Sequence, residues 1–228
     1  PAAWVVLTPI EQSIKRKIES VGKTLRDWDI SINYGIKTGY NDAFIITTER
    51  RDEILSNCKS EEERQRTEAI IRPILRGRDI KRYSYDWAGL WLIWIPWHFP
   101  LHLDSSIQGS SAEAEQAFMD QYPSVYQHLL LYKPQLSARN KAETCIRYEW
   151  YALQRWDANY SDDFSQPKIV WIELTDESKF ALSTDGLIPL NTVFFMVGKH
   201  IKYLLAVINS SLIHWYFQHT LGSTSGVG

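Results

Sequence analysis

The spacing of apolar residues in this chain changes period several times, and each change marks an element. Thr8-Pro9-Ile10-Glu11 carries an N-cap threonine, a proline at the first helical position and a glutamate placed to close a capping box. Ile10, Ile14, Ile18, Val21 and Leu25 then recur at helical spacing. They predict an amphipathic helix to about Arg26, with Lys15, Arg16 and Lys17 on its solvated face. Residues 43–47 form a short apolar run that predicts a strand. Residues 49–55 and 61–71 predict helices, the second capped by Ser60 and stopped by Pro73. Residues 90–97, L-W-L-I-W-I-P-W, are apolar at both parities, as in a central strand buried on both faces.

Beyond a small-residue loop at 108–112, helices are predicted over 112–120 and 124–133, broken at Pro123. Residues 146–153 and 168–174 read as strands, with 180–182 and 193–197 as two more. A last helix over about 201–220 is apolar around most of its circumference, which predicts burial. The fold class is therefore α+β: a mixed or antiparallel sheet with flanking helices, a helical insertion in the middle and a buried C-terminal helix. Residues 1–228 form one unit, with 112–139 as a possible helical subdomain.

Composition narrows the class. A hydrophobic fraction of 44% suits a globular protein, while ten tryptophans imply a packed aromatic core, a stacking surface, or both. Trp87, Trp91, Trp94 and Trp97 mimic helical spacing, but Pro96 and the aliphatic filling favour a buried strand. Cys58 and Cys145 lie far apart, the pattern of reduced thiols in a cytoplasmic protein. The most apolar stretch, 203–217, is cut by Asn209, Ser210, Ser211 and His214 and is too short to span a bilayer. The missing initiator methionine and the G-S-T-S-G-V-G ending read as an excised piece of a longer protein. A net charge of −2 argues against a strongly basic, self-sufficient nucleic-acid binder, yet Arg72, Arg76, Arg78, Lys81 and Arg82 cluster against one acid, Asp79.

The segment Y-G-I-K-T-G-Y-N-D-A-F at 34–44 resembles a phosphate cradle only superficially. A P-loop needs two glycines ahead of its lysine, and here Ser31 and Ile36 occupy those positions. What remains is a loop in which Gly35 and Gly39 are free to take positive φ, displaying Lys37, Thr38, Tyr40 and Asn41. Metal chemistry finds little support: Pro100 separates His98 from His102, and His214 and His219 fall on different helical faces. Neither G-x-S-x-G nor G-x-G-x-x-G occurs. Asp163, Glu177 and Lys179 faintly imitate a metal-dependent nuclease centre, with Glu177 expected in a turn.

Six segments in order carry a family resemblance. They are 34–44, I-I-R-P-I-L-R-G-R-D-I-K-R-Y (70–83), Y-P-S-V-Y-Q-H-L-L-L-Y-K-P-Q-L (122–136), W-Y-A-L-Q-R (150–155), P-K-I-V-W-I-E-L-T-D (167–176) and Y-L-L-A-V-I-N-S-S-L-I-H-W-Y-F (203–217). Together they resemble the C-terminal target recognition domain, the TaqI-like specificity domain, of type IIG restriction–modification enzymes and adenine-specific DNA methyltransferases. The resemblance implies sequence-specific recognition of double-stranded DNA on behalf of an attached methyltransferase and nuclease region. It implies no cofactor for this fragment, with S-adenosylmethionine and Mg2+ serving the catalytic regions. The tetrapeptide N-P-P-[YFW], which holds the target adenine in such methyltransferases, does not occur here. A basic stretch and closing segment expected after Leu221 are also missing, the chain ending at Gly228.

On this reading Arg76 and Arg78, flanking Gly77, together with Lys81 and Arg82, are candidate phosphate contacts. The alternative is a solvated face paired with Glu61–Glu63 and Glu68. Lys37 and Thr38 are further phosphate candidates, and Tyr40 or Asn41 are candidates to reach a base or sugar; alternatively Asn41 and Asp42 only cap a turn. Gln154, Arg155 and Lys168 complete the set, with Arg139 and Lys141 read as a polar exit loop. A protein-docking or carbohydrate-docking module is the remaining alternative.

Overall fold

The computed structural model describes residues 7–156, 158–172 and 178–220. Its first half runs α1 (Pro9–Val21), β1 (Ile30–Tyr34), α2 (Asn41–Phe44), β2 (Ile45–Thr47), α3 (Thr48–Ser56), α4 (Glu61–Ile70), β3 (Ile71–Leu75) and β4 (Leu90–Ile93). There follow α5 (Ala112–Gln121), α6 (Pro123–Leu130), α7 (Lys133–Ser137), β5 (Lys168–Ile172), β6 (Ala181–Ser183), β7 (Ile188–Pro189), β8 (Val193–Gly198), α8 (Ile201–Ile208) and α9 (Ser211–Thr220). No helix among the described residues is long and apolar enough to cross a membrane.

Two four-stranded sheets organise the α+β fold. One is antiparallel throughout, in the order β1-β8-β5-β6. The other runs β2-β4-β3-β7 and is antiparallel except for the β3–β7 pair. Pro73 lies inside β3 rather than stopping the preceding helix, which ends at Ile70. A central strand tolerates this proline because β7 pairs only from Ile74 onward, so the missing N–H falls where no partner strand stands. Beyond β7 the ladder continues through the bridges Ile36↔Leu190 and Lys37↔Arg155. Leu153 N–H then donates to Ile95 O, returning the ladder to the chain that follows β4.

The main core lies around the second sheet and helices α5 and α6, with Phe44, Leu75, Leu92, Ile93, Phe118, Tyr148, Tyr151 and Phe164 among its buried side chains. A smaller cluster, Ile169, Met196, Leu204, Leu205 and Ile208, packs α8 on the first sheet.

Several elements depart from their sequence expectation for identifiable reasons. The helix α1 ends at Val21 because Gly22 turns extended while its N–H caps Ile18 O. The Thr8–Glu11 capping box is present, but the apolar stripe is uncovered: Ile10 and Val21 are 74% and 77% exposed. The expected strand at 43–47 opens as the helical turn α2 and becomes extended only at Ile45. Residues 146–153 form turns instead of a strand: Cys145 N and Ala152 N close turns on Tyr148 O and Glu149 O, and the consecutive residues Tyr148 to Leu153 are all buried. The predicted C-terminal helix is two helices. Asn209 sits between them, its buried amide accepting from Phe180 N and donating to Phe180 O, and only the first of the two, α8, has buried residues.

Candidate nucleic-acid interface

The glycine loop is built from beneath by backbone ties. Gly35 N donates to Val193 O at 2.9 Å and Ile36 N to Pro189 O at 2.8 Å. Gly35 is obligatory by contact, because a Cβ there would stand 2.1 Å from the Leu190 carbonyl oxygen. Gly39 takes φ +81°, and a Cβ there would meet Arg139 Cδ at 2.9 Å and Gln154 Cβ at 3.0 Å. Lys37 and Arg155 exchange backbone hydrogen bonds at 3.3 and 3.0 Å, and Gln154 N donates to Thr38 O at 3.3 Å.

Arg139 is the clamp of this arrangement. Its guanidinium donates to Thr38 O at 2.6 Å, Trp150 O at 2.7 Å, Ala152 O at 2.8 Å and Leu136 O at 3.0 Å. Burial lowers its pKa to about 10, which still leaves it cationic at neutral pH. It is no polar exit loop but the group that ties the loop to the segment 150–155. Thr38 is likewise buried, with Oγ1 donating to Asn41 Oδ1 at 2.6 Å. Thr38 therefore shapes the loop, while Lys37, Asn41 and Arg155 are exposed and Tyr40 half-buried against Tyr132.

These ties surround an open cavity of about 410 Å³ lined by Lys37, Thr38, Gly39, Tyr40, Asn41, Asp42 and Asn191. Asn191 was not visible as a site residue in the sequence; its signal is a turn asparagine between two apolar strands. Five of the sequence-predicted residues, Lys37, Thr38, Gly39, Tyr40 and Asn41, line the cavity directly, and Gln154 and Arg155 join them through the backbone.

The Arg76–Arg82 run is arranged differently. Arg76 forms a two-pronged ion pair with Asp79, Nε to Oδ2 at 2.8 Å and Nη2 to Oδ1 at 2.7 Å, which raises its pKa. Gly77 is buried, and a Cβ there would meet Ile172 Cγ2 at 2.8 Å. The adjacent contact with Thr192 Oγ1 places this turn beside Asn191 and so beside the loop. Arg78 is exposed and, among the described residues, has no ion-pair partner. Lys81 pairs with Asp86, and Arg82 donates to the Asn209 carbonyl at the α8–α9 junction. Arg82 therefore stands against the α8–α9 junction rather than with the loop, and Lys81 is held in an exposed pair.

Lys168 does not belong to an exposed face. Its side chain is fully buried, with Nζ donating to Phe164 O at 2.8 Å and Gln166 O at 3.1 Å, and burial lowers its pKa to about 8. As a DNA contact it is corrected by this burial: the strand start that exposed it in the sequence is covered by the turn of Ala158–Ser165. Asp163 accepts from Asn33 at 2.8 Å and Gln166 at 3.0 Å, Lys179 precedes β6, and Glu177 lies outside the described residues. No group of three His, Cys, Asp or Glu side chains clusters among the described residues. The tryptophan set is mostly interior: Trp94 is buried, Trp97 stacks on Tyr148 at 4.7 Å, and Trp87 alone of the four is exposed.

Comparison with known proteins gives these features a family context. The chain is 20% identical over 201 residues to the type II methyltransferase M.MjaIV of Methanocaldococcus jannaschii, an alignment covering 86% of this chain and 59% of that protein. The chain thus spans somewhat over half the length of that relative. Among solved structures it is similar to the type IIL restriction–modification enzyme MmeI in complex with DNA, with a TM-score of 0.41 and 13% identity, covering 79% of this chain and 20% of that one. The model of the TaqI-like C-terminal specificity domain matches residues 72–226. The chain belongs to the family of TaqI-like C-terminal specificity domains.

Proposed function

We propose that this chain reads a short sequence in double-stranded DNA and directs an attached methyltransferase region to it, within a restriction–modification protein. The observation that carries the reading is the convergence of residues 37–42 and Asn191 on one open cavity, with Gln154 and Arg155 tied to its wall by backbone hydrogen bonds, in a specificity-domain family member. Cations and amides have separate tasks there. Lys37 and Arg155 are exposed charges for phosphates, which fix register without reading sequence. Asn41, Asn191 and Gln154 are amides, the chemistry that pairs with adenine edges, and each well-formed bidentate pair discriminates by about 1–3 kcal/mol.

The net charge of −2 fits a shared grip in which the attached region supplies part of the electrostatic attraction. Methyl transfer and cleavage then belong to that region, with S-adenosylmethionine and Mg2+ bound there, and the whole operates in the cytoplasm. The supporting fact is the lack of an N-P-P-[YFW] tetrapeptide in this sequence.

The test is duplex binding at a series of salt concentrations, with and without Lys37→Ala and Arg155→Ala together. The expected result is salt-dependent binding whose log–log slope falls by about 0.9 per lost phosphate contact. Binding insensitive to salt, or absent for every duplex, sinks the reading in favour of a protein-docking module.

A further inference from the structure

Arg72 stands at the head of the basic run but is built unlike its neighbours. Its guanidinium carbon lies over the Trp94 ring, 3.9 Å from its centroid, a cation–π contact on the indole face. Arg72 is only partly exposed, and among the described residues it has no carboxylate, carbonyl or other hydrogen-bond acceptor. The indole beneath it shows the same lack: Trp94 is 8% exposed, and its Nε1–H is buried without an acceptor.

A buried indole N–H without an acceptor, beside a half-buried guanidinium that has no acceptor among the described residues, is costly to fold and needs an explanation. A buried N–H without a partner costs on the order of 1–3 kcal/mol, and a half-buried cation costs more. Desolvation is the cause of the lowered Arg72 pKa, with no anion to offset it. Elsewhere the protein does supply partners: Arg76 has Asp79, Arg51 has Glu68, and Arg139 has its carbonyls. Arg51 Nε and Thr67 Oγ1 are also buried without a partner, but Arg51 keeps Glu68 through a terminal nitrogen, whereas Arg72 and Trp94 adjoin one another with no acceptor for either among the described residues.

We propose that Arg72 and Trp94 form a binding site for a phosphate group, filled by the backbone of duplex DNA. A guanidinium held over an aromatic face keeps its planar fork in one orientation, the geometry that suits phosphate oxygens. The site also stands near the recognition loop. Trp94 precedes Ile95, whose carbonyl accepts from Leu153 N, and Leu153 precedes Gln154, which donates to Thr38 O. Those two strand spacings are about 10 Å, and a duplex held at the loop presents further phosphates within that reach. The proposal rests on the DNA-recognition reading and adds to it a contact that reports no sequence.

The experiment uses the protein with Arg72→Met, Arg72→Lys and Trp94→Phe, each checked for an unchanged far-ultraviolet circular dichroism spectrum and a cooperative thermal transition. Duplex affinity is measured as a function of salt, and thermal stability is measured in inorganic phosphate against chloride at matched ionic strength. The expected result is a log–log slope lower by about 0.9 for Arg72→Met. Arg72→Lys should keep the slope but bind more weakly, and Trp94→Phe should weaken binding with the slope retained. If Arg72→Met does not fold, the lysine and phenylalanine variants decide, and unchanged affinity in both overturns the site. A wild-type protein that binds DNA with salt dependence and an Arg72→Met variant that matches it overturn this proposal alone. Wild-type protein without such binding overturns the underlying reading as well. Stabilisation by inorganic phosphate that Arg72→Met abolishes, with an unaltered DNA slope, makes free phosphate the ligand and overturns the DNA assignment.

Discussion

The loop at 37–42 and the segment at 76–86 are both rich in polar and charged residues, yet the fold uses them in opposite ways. In the loop, the cation that carries the structure is Arg139, buried and spent on carbonyl oxygens, and this leaves Lys37 exposed. In the segment, three of the four cations are engaged locally, Arg76 by Asp79, Lys81 by Asp86 and Arg82 by a carbonyl, and Arg78 stands without an ion-pair partner among the described residues. Counting basic residues therefore overstates the positive face of the segment and understates that of the loop. A charge acts on a partner only where the fold has not already given it one.

The largest effect that would break this contrast comes from Arg139→Met. It leaves the carbonyls of Thr38, Trp150, Ala152 and Leu136 without their donor, at a cost on the order of 4 kcal/mol after relief of the buried charge is counted. Urea denaturation measures it, and a loss below about 1 kcal/mol means that the clamp is not what orders the loop. A pair of glycine substitutions sharpens the same contrast. Gly35→Ala drives a Cβ to 2.1 Å from a backbone oxygen, which cannot yield, whereas at Gly77 the first contact, 2.8 Å, is a side-chain methyl. The expected costs are about 3 and about 1 kcal/mol respectively, and equal costs would show that both turns relax alike.

How much of this was legible in the sequence depends on whether a residue acts through its neighbours in the chain or across the fold. The Thr8 capping box, the Ser60 cap and the strands at 168–172 and 193–198 are local matters of spacing and alternation, and the sequence shows them. Of the two loop glycines, Gly39 adopts the positive φ that the sequence allows, whereas Gly35 does not and is required instead by its close approach to the Leu190 carbonyl. What was hidden depended on tertiary partners. Arg139 reaches a carbonyl 101 residues away, Asn209 splits a helix to meet Phe180, and Pro73 survives in a strand because β7 starts one residue later. Lys168 shows the limit most plainly, because a lysine at a strand start gives no sign that a later-packed turn will bury it.

Lys168 also supplies a prediction, since it belongs with Arg139 rather than with Lys37. Its pKa falls from the ordinary 10.5 to about 8 in the folded state because burial disfavours the charge. Below pH 8 both folded and unfolded chains hold the proton, and the burial penalty is fully present. Above it the unfolded chain binds the proton that the native state has released, so stability rises with pH. Between pH 8 and 9.5 the gain is about 2 kcal/mol, and above pH 10 the raised pKa values of Tyr85 and Tyr126, both about 12, reverse the trend. Urea midpoints at pH 8 and 9.5 should separate for the wild type and converge for Lys168→Met. A wild-type midpoint that falls over this interval, with Lys168→Met falling equally, would place the lysine in solvent.

The smallest effect tests the contrast most directly, because it compares two lysines that look equivalent in the sequence. Lys37→Ala removes an exposed charge on the cavity wall, and Lys81→Ala removes one already paired with Asp86. If the loop meets phosphate, the first lowers the salt slope of duplex binding by about 0.9. The second leaves the slope where it was, because the pair it breaks was screened and self-contained; its effect on stability is below about 1 kcal/mol. Asp86→Asn extends the argument in the other direction. Freeing Lys81 from its partner should raise the slope only if that ammonium stands within reach of the duplex, so an unchanged slope confines the DNA face to the loop. A slope that rises with Asp86→Asn and ignores Lys37→Ala would move the face to the segment, and the two regions would exchange roles.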